Sequence, residues 1–121
     1  MKERKYGRIV NILTSYVIGR PPNNQSSYIV SKYSLLGLSK SLSVELGSYG
    51  ITVNSVSPSM TNTNLIEKLP LKLKEIIANN VPVGRLADPN DITSAVLFLC
   101  SKNSSYISGE NILVSAGETM H

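Results

Sequence analysis

Apolar and polar positions alternate in blocks along the chain, and the blocks differ in period. Residues 8–13, Arg-Ile-Val-Asn-Ile-Leu, form a short β-branched run that gives way to Thr14 and Ser15. A run apolar on successive positions predicts a strand covered on both faces, as parallel sheets require. Ser15 falls just past its carboxyl end. After a loop through Gly19, Pro21 and Pro22 the period changes. Leu35, Leu38, Leu42, Leu46 and Tyr49 recur every three or four positions, which predicts a long helix with one apolar stripe. Ser26 or Ser27 is expected to cap its start, and Gly50 to stop it.

A second strand is predicted over 51–57 and ends at Pro58. A helix over 71–78 follows. Asp88-Pro89-Asn90-Asp91 then reads as a helix start, with Asp88 as N-cap, Pro89 at N1 and Asp91 near the positive end of the dipole. The inner face of that helix is Ile92, Ala95, Val96 and Leu99. Residues 111–114 give a third strand. Strand, helix, strand, helix pair, strand implies right-handed crossovers and a parallel sheet. The expected architecture is therefore α/β, with about three parallel strands, as part of a doubly wound sheet. The first strand is too apolar for a bare edge, so something is missing on its open side.

Composition narrows the classes. The chain has 121 residues, 41% hydrophobic and 17% charged, which fits one globular domain. No apolar run reaches the roughly 18 residues a membrane span needs. The single cysteine, Cys100, lies among Leu97, Phe98 and Leu99. It reads as a buried thiol and suggests a reducing, cytoplasmic setting. One histidine and one cysteine make a metal site an unpromising reading. The net charge of +4 is concentrated in Lys2, Arg4, Lys5 and Arg8. That cluster reads first as a solvated helix end. No nucleic-acid motif accompanies it.

Three residues carry candidate chemistry. Tyr28 and Lys32 are four apart on the long helix and share one face. Ser15 lies thirteen positions before Tyr28, at a strand end. In open α/β sheets, ligands bind outside the carboxyl ends of the strands, so all three can converge there. A free phenol titrates near 10, and a neighbouring ammonium favours its ionised form. Such a phenol can exchange a proton with a carbonyl oxygen while a serine hydroxyl holds the same oxygen. The Tyr-x-x-x-Lys pair alone is a weak signal. The serine at this offset, on this element, strengthens it.

These segments resemble the carboxyl-terminal half of a short-chain dehydrogenase/reductase, close to its 3-oxoacyl-[acyl-carrier-protein] reductase group. "GRIVNILTS" resembles the family's fifth strand and catalytic serine, and "SYIVSK" its Tyr-x-x-x-Lys motif. "LGSYGITVNSVSPSMTNTNL" resembles the sixth strand and the Pro-Gly motif after it. "VPVGRLADPNDITSAVLFLCSKNSSYISGENILVSAG" resembles the last helix and strand. The resemblance implies a partial Rossmann-like fold over residues 1–121, with a substrate lid over 61–85. It implies NAD(P)(H)-dependent interconversion of a carbonyl and an alcohol, in the manner of fatty acid biosynthesis. Tyr28 would be the acid–base, Ser15 the substrate orienter and Lys32 the ribose ligand. Tyr28, Lys32, Pro58, Ser59, Thr61 and Thr63 would border the cofactor. The substrate would be a small or acyl-carrier-protein-linked carbonyl compound. Partners would be further copies of the chain or a complementary amino-terminal half.

Three departures qualify the resemblance. Ser59 replaces a glycine, and Val114-Ser115-Ala116-Gly117 replaces Val-Asp-Gly-Gly. The family's first four strands and its Gly-x-x-x-Gly-x-Gly turn have no counterpart. That turn holds the cofactor's pyrophosphate on backbone N–H groups. Cofactor binding is therefore expected only with the missing half, and the isolated chain is expected to be inactive. The alternative is a non-enzymatic remnant that serves as an interaction or dimerisation module.

Overall fold

A computed structural model describes residues 1–121. Its elements are β1 (Gly7–Ile12), α1 (Ser26–Leu46), β2 (Ile51–Pro58), α2 (Leu71–Asn80), α3 (Pro89–Cys100) and β3 (Asn111–Val114). The three strands form one parallel sheet in the order β1-β2-β3. Gly7 pairs with Ile51 and Ile12 with Val56, so β1 and β2 run in register over their shared length.

Side chains three apart on a strand point to opposite faces. Asn11 donates through Nδ2 to Ser39 Oγ on α1 at 2.8 Å. Arg8 Nε donates to the Ser101 carbonyl, just past α3, at 3.3 Å. The two helices therefore cover opposite faces of the sheet. Val53, Val56 and Leu99 are fully buried between them.

β2 is buried along nearly its whole length, yet it is rich in polar residues. Hydrogen bonds make this tolerable. The Asn54 amide donates to the Ile107 carbonyl at 2.8 Å and accepts from the Glu110 N–H at 3.0 Å. Ser57 Oγ donates to Asn111 Oδ1 at 2.7 Å. These bonds pin the segment that leads into β3.

Several expectations need correction. Neither Ser26 nor Ser27 caps α1. Both lie inside its first turn, and the N-cap is Gln25, which makes no side-chain capping bond. Leu38 is 51% exposed and Tyr49 also faces out. The centre of the inner face belongs to Ser39, whose hydroxyl donates to the Leu35 carbonyl while accepting from Asn11. Cys100 is exposed. It follows Leu99 on α3, and a single step of about 100° carries it off the buried stripe. The basic amino-terminal stretch is a turn rather than a helix end. α2 runs two residues past the expected 78.

Other expectations hold. Asp88 caps α3 with Pro89 at N1, and Asp91 closes a capping box by accepting from the Asp88 N–H at 2.7 Å. Gly50 adopts φ 67° after a short 3-10 turn that ends the long helix. Only 19 of 121 residues are buried. β1, for all its apolar residues, is an edge strand with one side open.

Candidate active site at the carboxyl end of the sheet

Ser15 begins a 3-10 turn, Ser15–Val17, three residues beyond the end of β1. Thr14 caps the turn through Oγ1, and Ser15 itself is buried. Its carbonyl accepts from the N–H groups of Ile18 and Gly19, at 3.0 and 2.9 Å. The serine position is thus fixed by its own backbone.

Tyr28 and Lys32 lie in the first two turns of α1, at the end nearest that 3-10 turn. The Lys32 ammonium donates to the carbonyl of Ile12, the last residue of β1, at 2.8 Å. It also stands 5.7 Å from the centre of the Tyr28 ring. The Tyr28 side chain is partly open to solvent, 41% exposed. One ammonium therefore links the strand end to the phenol, and the three candidates gather at one end of the sheet.

The remaining expected residues divide between two cavities, Pro58, Thr61 and Thr63 on one and Ser59 on the other. Pro58 ends β2. Pro58, Thr61 and Thr63 line a cavity of about 430 Å³ together with Ile12, Ile92 and Val96. Thr61 Oγ1 donates to the Ser59 carbonyl at 3.0 Å. Thr63 precedes a short 3-10 turn and caps it with no side-chain bond, so its hydroxyl remains available. Ser59 is buried, and its N–H donates to the Val114 carbonyl at 3.0 Å. Its φ is not among the positive ones, so serine in place of glycine costs no left-handed strain. Ala116 is the departure that carries strain, at φ 49°.

Residues 61–85 leave and rejoin the domain at one point. Thr61 and Ala87 form an isolated parallel bridge, with the Asn62 N–H donating to the Ala87 carbonyl at 2.8 Å. The excursion carries exposed Leu65, Leu71 and Ile76. A second cavity of about 430 Å³ lies between its return and β3, where Arg85 and Asp91 pair.

Two features went unnoticed in the sequence. Tyr16 stands directly after Ser15, and burial raises its pKa, aided by the Glu118 carboxylate and, least, by the nearby Tyr28 phenol. The C-terminal turn reaches the same place, because Thr119 packs against Gly19. Adjacency to Ser15 was the available signal for Tyr16. Nothing local announced the C-terminal turn, since its approach depends on how β3 ends.

Comparisons with known proteins agree with this geometry. The family model described as enoyl-(acyl carrier protein) reductase matches residues 1–119. The 3-oxoacyl-[acyl-carrier-protein] reductase of Rickettsia prowazekii is 41% identical over 121 residues, which are 99% of this chain and 49% of that protein. A (2S)-[(R)-hydroxy(phenyl)methyl]succinyl-CoA dehydrogenase subunit from Thauera aromatica is 35% identical over 99% of this chain and 48% of its own. The crystal structure of a 3-oxoacyl-[acyl-carrier protein] reductase from Brucella melitensis superposes with a TM-score of 0.92 at 28% identity. It is covered over 45% of its length by the whole of this chain. The chain thus spans about half the length of the curated relatives it matches. With this fold, this strand-end arrangement and these relatives, the chain belongs to the short-chain dehydrogenase/reductase family.

Proposed function

We propose that this chain carries the proton-exchanging half of a carbonyl reductase that acts on 3-oxoacyl groups held as thioesters on an acyl carrier protein. The carrying observation is the Lys32 bond to the Ile12 carbonyl, which holds the ammonium between the strand end and the Tyr28 ring. Tyr28 gives the proton that the substrate oxygen needs as its carbonyl becomes an alcohol. Ser15 donates a hydrogen bond to the same oxygen and fixes its position. The ammonium offsets the negative charge left on the phenol. A nicotinamide dinucleotide, when bound, supplies hydride to the carbonyl carbon.

The residues present fit one end of that cofactor. Lys32 is bonded to the end of β1, and Pro58, Thr61 and Thr63 line the open cavity that Ile12 shares, whereas Ser59 lines the second cavity beside β3. The pyrophosphate end has no comparable place. A phosphate cradle needs bare backbone N–H groups on flexible glycines. Three of the positive-φ glycines are already packed: Gly50 on Lys5, Gly109 on Ser43 and Gly117 on Pro82. The Gly84 N–H is already taken by the Val81 carbonyl at 2.8 Å. On this reading, further polypeptide docked on the open edge of β1 holds the nucleotide.

The test mixes the purified chain with NADPH and an acetoacetyl thioester, with and without the amino-terminal half of the Rickettsia prowazekii reductase. The expected result is negligible turnover alone, turnover with the added half, and its loss in Tyr28→Phe. Robust turnover by the lone chain would overturn the need for a second half. Absence of turnover in every combination would leave the interaction-module reading in its place.

A further inference from the structure

The second cavity, of about 430 Å³, lies at the foot of the 61–85 excursion and takes no part in the proton exchange above. One wall is the returning chain, with Val81, Val83 and Ala87. The other is the end of β3, with Leu113, and Ala116 just beyond it. The volume falls within the roughly 300–1,000 Å³ of small-molecule sites. The departures seen in the sequence meet here. Ser59, in place of a glycine, and Ser115-Ala116, in place of Asp-Gly, all line this one cavity.

The cavity has few polar groups, and most are spent. Ser94 Oγ donates to the Asn90 carbonyl at 3.0 Å, and Ser115 Oγ to the Thr119 carbonyl at 2.9 Å. Ser59 differs from both. Its N–H donates to the Val114 carbonyl, and its own carbonyl accepts from Thr61 Oγ1, so its backbone is held from two sides. The residue is only 9% exposed, yet its hydroxyl makes no hydrogen bond within the chain. A hydroxyl so placed needs a partner, and only an occupant of the cavity can provide one.

Charge at the cavity is already balanced. Arg85 Nη1 and Nη2 donate to the two carboxylate oxygens of Asp91, at 2.6 and 3.1 Å. Asp91 is held down at about 2 and is ionised, and Asp88 adds negative charge near the same guanidinium. An anion therefore finds no free positive charge here. We propose that this cavity binds an uncharged alkyl chain carrying one oxygen acceptor, an alcohol or an ester, with the chain against the valines, Leu113 and Ala116 and the oxygen accepting from the Ser59 hydroxyl. The inference stands apart from the reading of Ser15 and Tyr28. A carboxylate would give up its water for apolar walls and a guanidinium that is already paired.

Nuclear magnetic resonance of the whole chain tests this. Methyl groups are labelled, and the signals of Val81, Val83, Leu113, Ile12 and Ile92 are assigned. Three probes are titrated: 1-hexanol, methyl hexanoate and hexanoate. Both neutral probes are expected to shift Val81, Val83 and Leu113 and to leave Ile12 and Ile92, in the other cavity, unmoved. Tighter binding of methyl hexanoate would name an acyl ester as the source of the chain, and tighter binding of 1-hexanol a free alcohol. Hexanoate is expected to bind roughly tenfold more weakly. Ser59→Ala removes the hydroxyl and keeps the β-carbon, and is expected to weaken both neutral probes about fivefold. Ser94→Phe fills the cavity from α3 and is expected to abolish the shifts. Should that variant fail to fold, Ser59→Ala decides alone. The inference is overturned if no probe shifts the three methyl signals or if hexanoate binds as tightly as the neutral probes. Shifts that survive a folded Ser94→Phe, or affinities unchanged in Ser59→Ala, overturn it equally.

Discussion

Lys32 Nζ lies 2.8 Å from the carbonyl oxygen of Ile12 and donates to it, so the second turn of α1 is fastened to the last residue of β1. An ammonium has three donors, and this bond uses one. The same nitrogen stands 5.7 Å from the centre of the Tyr28 ring. A charge placed this way acts on the phenol and on anything bound beside it.

Replacing Lys32 by methionine keeps much of the stem and removes the charge. In the reconstituted enzyme kcat is expected to fall by about 10²–10⁴, the range for a lost acid–base contribution. Thermal unfolding of the isolated chain should change by less than about 1 kcal/mol, because this bond lies near solvent. Steady-state kinetics and calorimetry on the two proteins separate the effects. A large loss of stability with an unchanged kcat would make Lys32 a structural tether.

The parts that were legible in the sequence were those with a strong local period or a strong local cap. Residues 111–114 were expected as a strand and form β3, and Asp88-Pro89 opens α3 as its residue types dictate. Strand end and helical spacing located Ser15, Tyr28 and Lys32: Ser15 opens the turn after β1, and Lys32 bonds the Ile12 carbonyl and stands beside the Tyr28 ring. The inner face of α1 was misread at its centre because Ser39 is polar. Its hydroxyl is buried against Asn11, a partner 28 residues earlier, and no local pattern reports such a pair. Cys100 was misassigned for a related reason. Apolar neighbours along the chain are not neighbours on a helix face. The C-terminal turn over Gly19 was invisible because it is a contact between distant segments.

Acid sensitivity should trace in part to Asp91. The paired Arg85 guanidinium, followed by the Asp88 N–H, holds the Asp91 carboxyl down at about 2. A carboxyl depressed in the folded state stabilises above its unfolded value near 4 and loses that contribution as pH falls towards 2. The melting temperature of the unmodified chain should therefore exceed that of Asp91→Asn at pH 6. The gap should close between pH 4 and 2. A gap that persists unchanged at pH 2 would assign the effect to helix capping by geometry alone.

Tyr16 gives the matching test at alkaline pH. Its raised folded pKa means that the unfolded chain loses the phenolic proton first. Its contribution is complete below about 10 and disappears as pH rises through the folded value. The unmodified chain should lose stability more steeply above pH 10 than Tyr16→Phe does, as read by urea unfolding at several pH values. Parallel curves would place the phenol in solvent.

Ala116 should be replaceable with profit to stability. Its φ of 49° puts a β-carbon in the left-handed region. That conformation costs a non-glycine residue about 1–2 kcal/mol, and glycine's extra unfolded freedom returns about 0.5–1 of it. Ala116→Gly is therefore expected to stabilise the chain by up to about 1 kcal/mol in urea unfolding. A destabilised variant would mean that the methyl group makes contacts outweighing the strain.

Two leucines on α3, on either side of Phe98, should separate folding from partner docking. Leu99 is fully buried under the sheet, whereas Leu97 is 64% exposed beside Ile12 at the open edge of β1. Leu99→Ala should cost about 2–5 kcal/mol, the range for a buried leucine truncated to alanine. Leu97→Asp should leave the isolated chain within about 0.5 kcal/mol, as expected for an exposed position. It should nevertheless abolish turnover with the added amino-terminal half, because a charge would then be buried without a partner where the two meet. Unfolding curves and complementation assays on both variants decide the matter. Full complementation by Leu97→Asp would move the docking surface elsewhere and leave the open side of β1 without its proposed occupant.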